Sequence, residues 1–220
     1  MSFERARGGK LLYLGEYRQA VEVLTQAIEL EPDDADIYVN RGAAYAALAE
    51  YDLAIADYDQ AIELDHDHVT AYNNRGLAYA SLGDYESALR DYERAMELDP
   101  HNAVIYNNRG VAYGAQGDQD RALVDYNRSL ELDPEYAAAY YTRGTCHAKR
   151  GDNERAIADY DQAINFNHKL AAAYYSRGVA LGLQGRYEQA LADFEKYLDL
   201  APRASNRERV EAIVRQLRER

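Results

Sequence analysis

The chain has 220 residues, with 25 Lys and Arg against 38 Asp and Glu, a formal net charge of −13, one Cys, no Trp and 21 Tyr. That acidity disfavours nucleic acid and direct membrane binding, both of which reward clustered cations, and no uncharged run approaches the roughly 18 residues of a membrane span. A single thiol, Cys146, forbids an internal disulfide and fits a reducing compartment, and MSFERARGGK has no apolar stretch behind its charges, so a cytoplasmic location is expected.

The predicted elements follow a period of 34 residues. Arg7-Gly8 opens a series continued by Asn40-Arg41-Gly42, Asn74-Arg75-Gly76, Asn108-Arg109-Gly110, Thr142-Arg143-Gly144 and Ser176-Arg177-Gly178. With the Gly set as position 8, six units run 1–34, 35–68, 69–102, 103–136, 137–170 and 171–204, without insertion or deletion. Each unit predicts two helices. Gly15, Gly83, Gly117, Gly151 and Gly185 stop the first helix in a left-handed conformation, and Ala49 breaks that pattern at a small local cost. Asp84, Asp118 and Asp152 follow and cap the second helix. Pro32, Pro100, Pro134 and Pro202 lie just beyond it, where proline cannot continue a helix. Residues 205–220 predict a last helix, opened by a Ser205/Glu208 capping box and carrying the stripe Val210, Ile213, Val214, Leu217. This helix is expected to cover the apolar face of the last unit, with partner binding as the alternative. Its outer face is basic: Arg207, Arg209, Arg215, Arg218 and Arg220.

These positions resemble the tetratricopeptide repeat. The shared features are the 34-residue period, an aromatic at position 4 (Tyr38, Tyr72, Tyr106, Tyr140, Tyr174), Gly at 8, Tyr at 11, Ala at 20, an aromatic at 24, Ala at 27 and Pro at 32. The resemblance covers residues 1–204 and implies an all-α solenoid, a right-handed superhelix of helix pairs whose first helices line a concave groove. It also implies that Lys and Arg at positions 2, 5 and 6 are needed to clamp a chaperone's C-terminal carboxylate. Here those places hold Asp36, Val39, Asn40, Thr70, Asn73, Asn74, Val104, Asn107 and Asn108. A chaperone-tail receptor is therefore not expected.

At about 100° per residue, positions 3, 4, 7, 10, 11 and 14 of a first helix form a packing arc beside Gly8. Positions 2, 5, 6, 9 and 13 form an open arc. The tyrosines, mostly at positions 4, 11, 17 and 24, are read as packing groups. Gly8 and Ala20 are read as letting the two backbones approach closely. The open arc carries Asn40, Asn73, Asn74, Asn107 and Asn108, giving way to Tyr141 and Tyr175 in the later units. An amide both donates and accepts, so a regular row can grip an extended backbone without reading its side chains. The row is similar to the asparagine ladder in the repeat arm of O-linked GlcNAc transferases; solvated consensus asparagines are the alternative. Position 7 departs from the family's usual Leu. Arg41, Arg75, Arg109, Arg143 and Arg177 stand in the packing arc, and Asp57, Asp91, Asp125, Asp159 and Asp193 recur at position 23. An unpaired buried charge is prohibitive, so five ion pairs are expected, within repeats or to the adjacent repeat. Arg7 faces Val23 instead.

No phosphate loop, nucleophile elbow or HExxH pattern is present, so no enzyme, cofactor or metal is expected. His66 and His68 sit with Asp65 and Asp67 in a turn, read as turn polarity, and His147 as a core histidine beside Cys146. The expected function is a non-catalytic scaffold, monomeric, that holds an extended protein or peptide segment in its groove. A self-assembling scaffold, or the repeat arm of a larger protein, is the alternative.

Overall fold

The computed structural model describes residues 3–219, and among them there are thirteen helices and no strand. They come as six antiparallel pairs: α1 (Phe3–Tyr13) with α2 (Tyr17–Leu30), α3 (Ala35–Ala47) with α4 (Tyr51–Leu64), and α5 (Val69–Leu82) with α6 (Tyr85–Leu98). After these come α7 (Ala103–Ala115) with α8 (Gln119–Leu132), α9 (Ala137–Lys149) with α10 (Asn153–Phe166), and α11 (Ala171–Leu183) with α12 (Tyr187–Leu200). A last helix, α13 (Arg207–Arg218), follows. The chain divides into two compact units, Met1–Ala112 and Tyr113–Arg220, with the division inside α7. This is an all-α solenoid.

Local chemistry sets the helix ends. Gly83 adopts φ +83°, and its left-handed turn lets the Asp84 N–H donate to the Tyr79 carbonyl at 2.9 Å. Asp84, Asp118 and Asp152 then accept at 3.1, 3.0 and 3.1 Å from the N–H groups of Ser87, Arg121 and Arg155. Hydrogen bonds from the Ser87 hydroxyl and N–H lower the Asp84 carboxyl, and those from the Arg121 N–H and guanidinium lower the Asp118 carboxyl. Ala49 takes the same turn at φ +60°, the one non-glycine to do so among the described residues.

Packing within a pair centres on position 24. A Cβ on Gly42 would lie 2.7 Å from the Tyr58 ring, and one on Gly76 2.8 Å from the Tyr92 ring. The close approach at the position-8 glycines is thus to the position-24 side chain. Ala54, Tyr58 and Ala61 of α4 enclose Ala71 and Ala78 of α5; Ala88, Tyr92 and Ala95 of α6 enclose Ile105 and Ala112 of α7. Each large side chain buried this way contributes roughly 2–3 kcal/mol. In the first unit α1 touches α3 and α3 touches α5; in the second, α9 touches α11. First helices therefore share one face of each unit, and second helices form the other.

The tail helix packs Val210 and Val214 against Phe194 and Tyr197, flanked by Leu191, Leu198, Ile213 and Leu217. The expected capping box does not form. The helix starts at Arg207, after Asn206, with no side-chain cap bond, because the Tyr197 hydroxyl donates to Asn206 Oδ1 at 2.5 Å and fixes the turn one residue later. Its basic face is partly spent internally. Arg207 pairs with Glu211 at 2.8 Å and Arg218 with Glu195 at 2.6 Å; Arg220 lies outside the described residues.

Candidate peptide-binding face

On the first-helix face of the first unit, Asn40, Asn74 and Asn108 are half-buried among exposed Leu77, Val104 and Val111. Charge at its edge is tied up locally, with one carboxylate in excess: Arg5 pairs with Asp34 at 2.5 Å and with Asp36, and His68 Nε2 lies 3.1 Å from Asp36. On the corresponding face of the second unit, Thr142 and Ser176 are half-buried while Val179 and Leu183 are exposed.

The asparagines are not equivalent. Asn73 donates from Nδ2 to Asn74 Oδ1 at 3.1 Å and accepts at Oδ1 from Asn108 Nδ2 at 2.9 Å. Asn107 is only 5% exposed, and Val39 at the same repeat position is buried in the core. Position 5 is therefore interior at Val39 and Asn107, against the open-arc reading, whereas Asn73, Tyr141 and Tyr175 at the same position stay half-buried. The wheel treats one helix in isolation, whereas contact between successive first helices closes over this position. Three amides still offer polar atoms to solvent: both ends of Asn40, the amino group of Asn74 and the carbonyl of Asn108.

The two tyrosines of the later units are half-buried and anchored from below. Tyr141 packs on the Tyr160 ring at 5.9 Å, and Tyr175 packs on Phe194 at 5.9 Å and Tyr197 at 5.2 Å. Each is a rigid aromatic platform.

Beneath the face lie bidentate ion pairs between the helices of one pair. Arg75 Nε and an Nη bond the two Asp91 oxygens at 2.8 and 2.7 Å. Arg41–Asp57, Arg143–Asp159 and Arg177–Asp193 repeat that geometry at 2.6–2.9 Å. Arg109 belongs to the first unit and Asp125, buried, to the second. Burial pushes the Asp91 carboxyl up against the pull of Arg75. Hydrogen bonding to Asp57 raises the Arg41 guanidinium. The position-4 tyrosine lies beside each guanidinium, with Arg75 5.5 Å from the Tyr72 ring centre.

Sequence reasoning missed that both alternatives for these arginines hold at once. The other Nη of each arginine reaches 16 residues back, to the preceding repeat. Arg75 meets Asp59 at 2.5 Å, Arg177 meets Asp161 at 2.5 Å, Arg143 meets Asn127 at 2.7 Å and Arg41 meets Thr25 at 3.1 Å. The signal was a polar residue at position 25, obscured because its identity varies.

The reactive side chains are built into the scaffold. Cys146 donates its thiol to Gln119 Oε1 at 3.0 Å, and burial pushes that thiol up, away from the reactive thiolate. His66 bonds the Ile62 carbonyl at 2.8 Å, and His68 Nδ1 accepts the Ala71 N–H at 3.3 Å, capping α5. Among the described residues no three potential ligands group as a metal site.

Models of the tetratricopeptide repeat match residues 69–102, 103–136, 125–158 and 147–217, and a TPR repeat model matches 8–49 and 47–83. Together they span residues 8–217. The chain belongs to the tetratricopeptide repeat (TPR) family. No curated protein matches it. Among solved TPR-like structures, a chain of the APC/C hetero-tetramer Cut9–Hcn1 is 17% identical with a TM-score of 0.86, over 97% of this chain and 42% of that one. This TPR chain thus spans less than half of that protein's length. A tetratricopeptide repeat protein from Parabacteroides merdae ATCC 43184 is 23% identical, TM-score 0.79, covering 98% and 83%. Both likenesses show the fold alone. YrrB, described as a TPR protein with an unusual peptide-binding site, is 26% identical, TM-score 0.57, covering 87% and 99%. Among the described residues no helix of this TPR chain is long and apolar enough to cross a membrane.

Proposed function

We propose that the chain is a non-catalytic, cytoplasmic scaffold that holds extended protein segments on the first-helix face of each unit. The observation that carries this reading is the contrast between the face and the rest of the chain. On a protein of net charge −13, the Asn40–Asn74–Asn108 face presents amides beside exposed Leu77 and Val111, and the charges at its edge are engaged with one another. The likeness to YrrB, whose description names a peptide-binding site, supports it. In the first unit Asn40, Asn74 and Asn108 bond partner backbone; in the second, taken by itself, Tyr141 and Tyr175 receive an apolar or aromatic side chain.

The magnitudes set the kind of binding. Four amide groups at about 0.5–1.5 kcal/mol each give at most about 6 kcal/mol, and ordering the segment consumes part of that. Affinity in the micromolar range therefore depends on apolar neighbours such as Leu77 and Val111, and on the tyrosine platforms. The test is a display library of extended peptides panned on the full chain. Replacing Asn40, Asn74 and Asn108 together by Ala should weaken the selected peptides tenfold or more, with an unchanged melt and little salt dependence. Full affinity in the triple variant, or collapse of binding at moderate salt, would transfer the interface to the acidic outer surface.

A further inference from the structure

Phe3, Arg7 and Lys10 lie on one face of α1, and every later first helix buries that same face against the second helix before it. Phe3 is 76% exposed, whereas Ile37, Ala71, Ile105, Ala139 and Ala173 at the same position are at most 1% exposed. Lys10 is exposed, whereas Ala44, Ala78, Ala112, Cys146 and Ala180 are buried. The covering surface is visible in the chain itself. Ile37 and Ala44 pack among Ala20, Leu24 and Ala27 of α2, as Ala71 and Ala78 do among Ala54, Tyr58 and Ala61 of α4. Between those two apolar positions the arginine takes its second partner, Asp59 for Arg75 and Asp161 for Arg177. Arg7 is exposed, has buried Val23 where the other repeats have Asp, and makes no ion pair among the described residues.

We propose that this face of α1 docks an acidic amphipathic helix of a separate protein partner. The complement is defined by the internal interfaces, in which Ala54-x-x-x-Tyr58-Asp59-x-Ala61, Ala88-x-x-x-Tyr92-Glu93-x-Ala95 and Ala156-x-x-x-Tyr160-Asp161-x-Ala163 repeat one pattern. The occupant carries Ala-x-x-x-aromatic-acid-x-Ala: the acid meets Arg7 and the apolar stripe covers Phe3. Lys10, where every other repeat has a small residue, selects a second acid on the occupant and rejects a basic helix. Self-docking is disfavoured because the chain's own copies of the pattern are packed internally. At the other end, Phe194 is covered by α13, and Glu195 is paired with Arg218 of that helix. The site is independent of the peptide-binding face, whose Asn40, Asn74, Asn108, Leu77 and Val111 lie on later first helices.

The probe is a fluorescent peptide of residues 51–64, helix-stapled between the exposed positions of Asp52 and Ala56, titrated into the full chain by anisotropy. Saturable binding is expected, weaker at 500 than at 50 mM salt by roughly tenfold. Arg7→Glu should weaken it at least tenfold with an unchanged melt, and so should Asp59→Lys in the peptide. The two changes together should restore it. The Asn40/Asn74/Asn108 triple-Ala variant should bind the probe like wild type. Absence of binding, indifference to Arg7→Glu, or loss in the triple-Ala variant would overturn the proposal. So would self-association of the intact chain that Arg7→Glu abolishes, which would place a second copy there.

Discussion

Glu195 accepts a 2.6 Å bond from Arg218 of the tail helix, occupying the place that Asp59 holds toward Arg75 and Asp161 toward Arg177. The tail thus supplies, from a helix outside the repeat, the cation that the next repeat would bring. Both partners are substantially exposed, at 62% and 43%, so Arg218→Ala should cost under about 1 kcal/mol. Deleting residues 205–220 is different in kind. It bares Leu191, Phe194 and Leu198, and light scattering should then show association or a broadened, less cooperative melt. A monomeric truncation with an unchanged melt would mean that α13 is not a cover.

The ion pairs differ in what remains when one acid is removed. After Asp91→Ala, Arg75 keeps Asp59; after Asp159→Ala, Arg143 keeps only the neutral Asn127. We expect Asp91→Ala to cost about 3 kcal/mol and Asp159→Ala about 1 kcal/mol more, measured by denaturant unfolding. Arg75→Leu with Asp91→Tyr should recover most of the former loss.

Two glycines should respond to alanine with opposite sign. At Gly42 the added Cβ meets the buried Tyr58 ring at 2.7 Å, so overpacking should cost about 1–3 kcal/mol. At Gly182, inside α11, nothing lies within 4 Å, and the better helix former should stabilise by about 0.5–1 kcal/mol. Thermal melts of the two variants would separate the effects.

Ala49→Gly relieves the left-handed strain at φ +60°. A gain of roughly 1 kcal/mol is expected, partly offset by the greater freedom of glycine in the unfolded chain. Ala49→Val should lose more than Ala49→Gly gains.

His147 gives the pH dependence. Burial holds its folded-state pKa below the ordinary 6.5, outweighing Asp159 at 3.9 Å. On acidification the unfolded chain takes the proton first. Stability should therefore fall as pH drops through 6.5 and level off once the buried ring protonates below that value. His147→Tyr, the residue at the same position in Tyr45 and Tyr79, should flatten that part of the profile, seen as a smaller difference in Tm between pH 7 and pH 5.

The helix pairs were legible because their punctuation is local: Gly83 and Asp84 need only their own backbone to stop one helix and start the next. The Arg75–Asp91 geometry was foreshadowed by two charges at constant spacing in an apolar setting. Asn107 was misplaced because a single-helix wheel omits the neighbouring first helix. The Ser205/Glu208 box failed because Tyr197, nine residues before Asn206, holds the turn. That contact is tertiary and leaves no local pattern.

The 16-residue reach of the position-7 arginines makes the junctions between repeats chemically unequal. Arg75–Asp59 and Arg177–Asp161 are closed by full charges, whereas Arg41–Thr25 and Arg143–Asn127 are closed by neutral oxygens. In a linear array, opening starts at the weakest seam. Amide hydrogens flanking the Thr25 and Asn127 junctions should therefore exchange before those flanking Asp59 and Asp161. Raising the salt should narrow the difference, because it loosens only the charged seams. The varied residue at position 25 thus writes an order of unfolding into an otherwise uniform repeat.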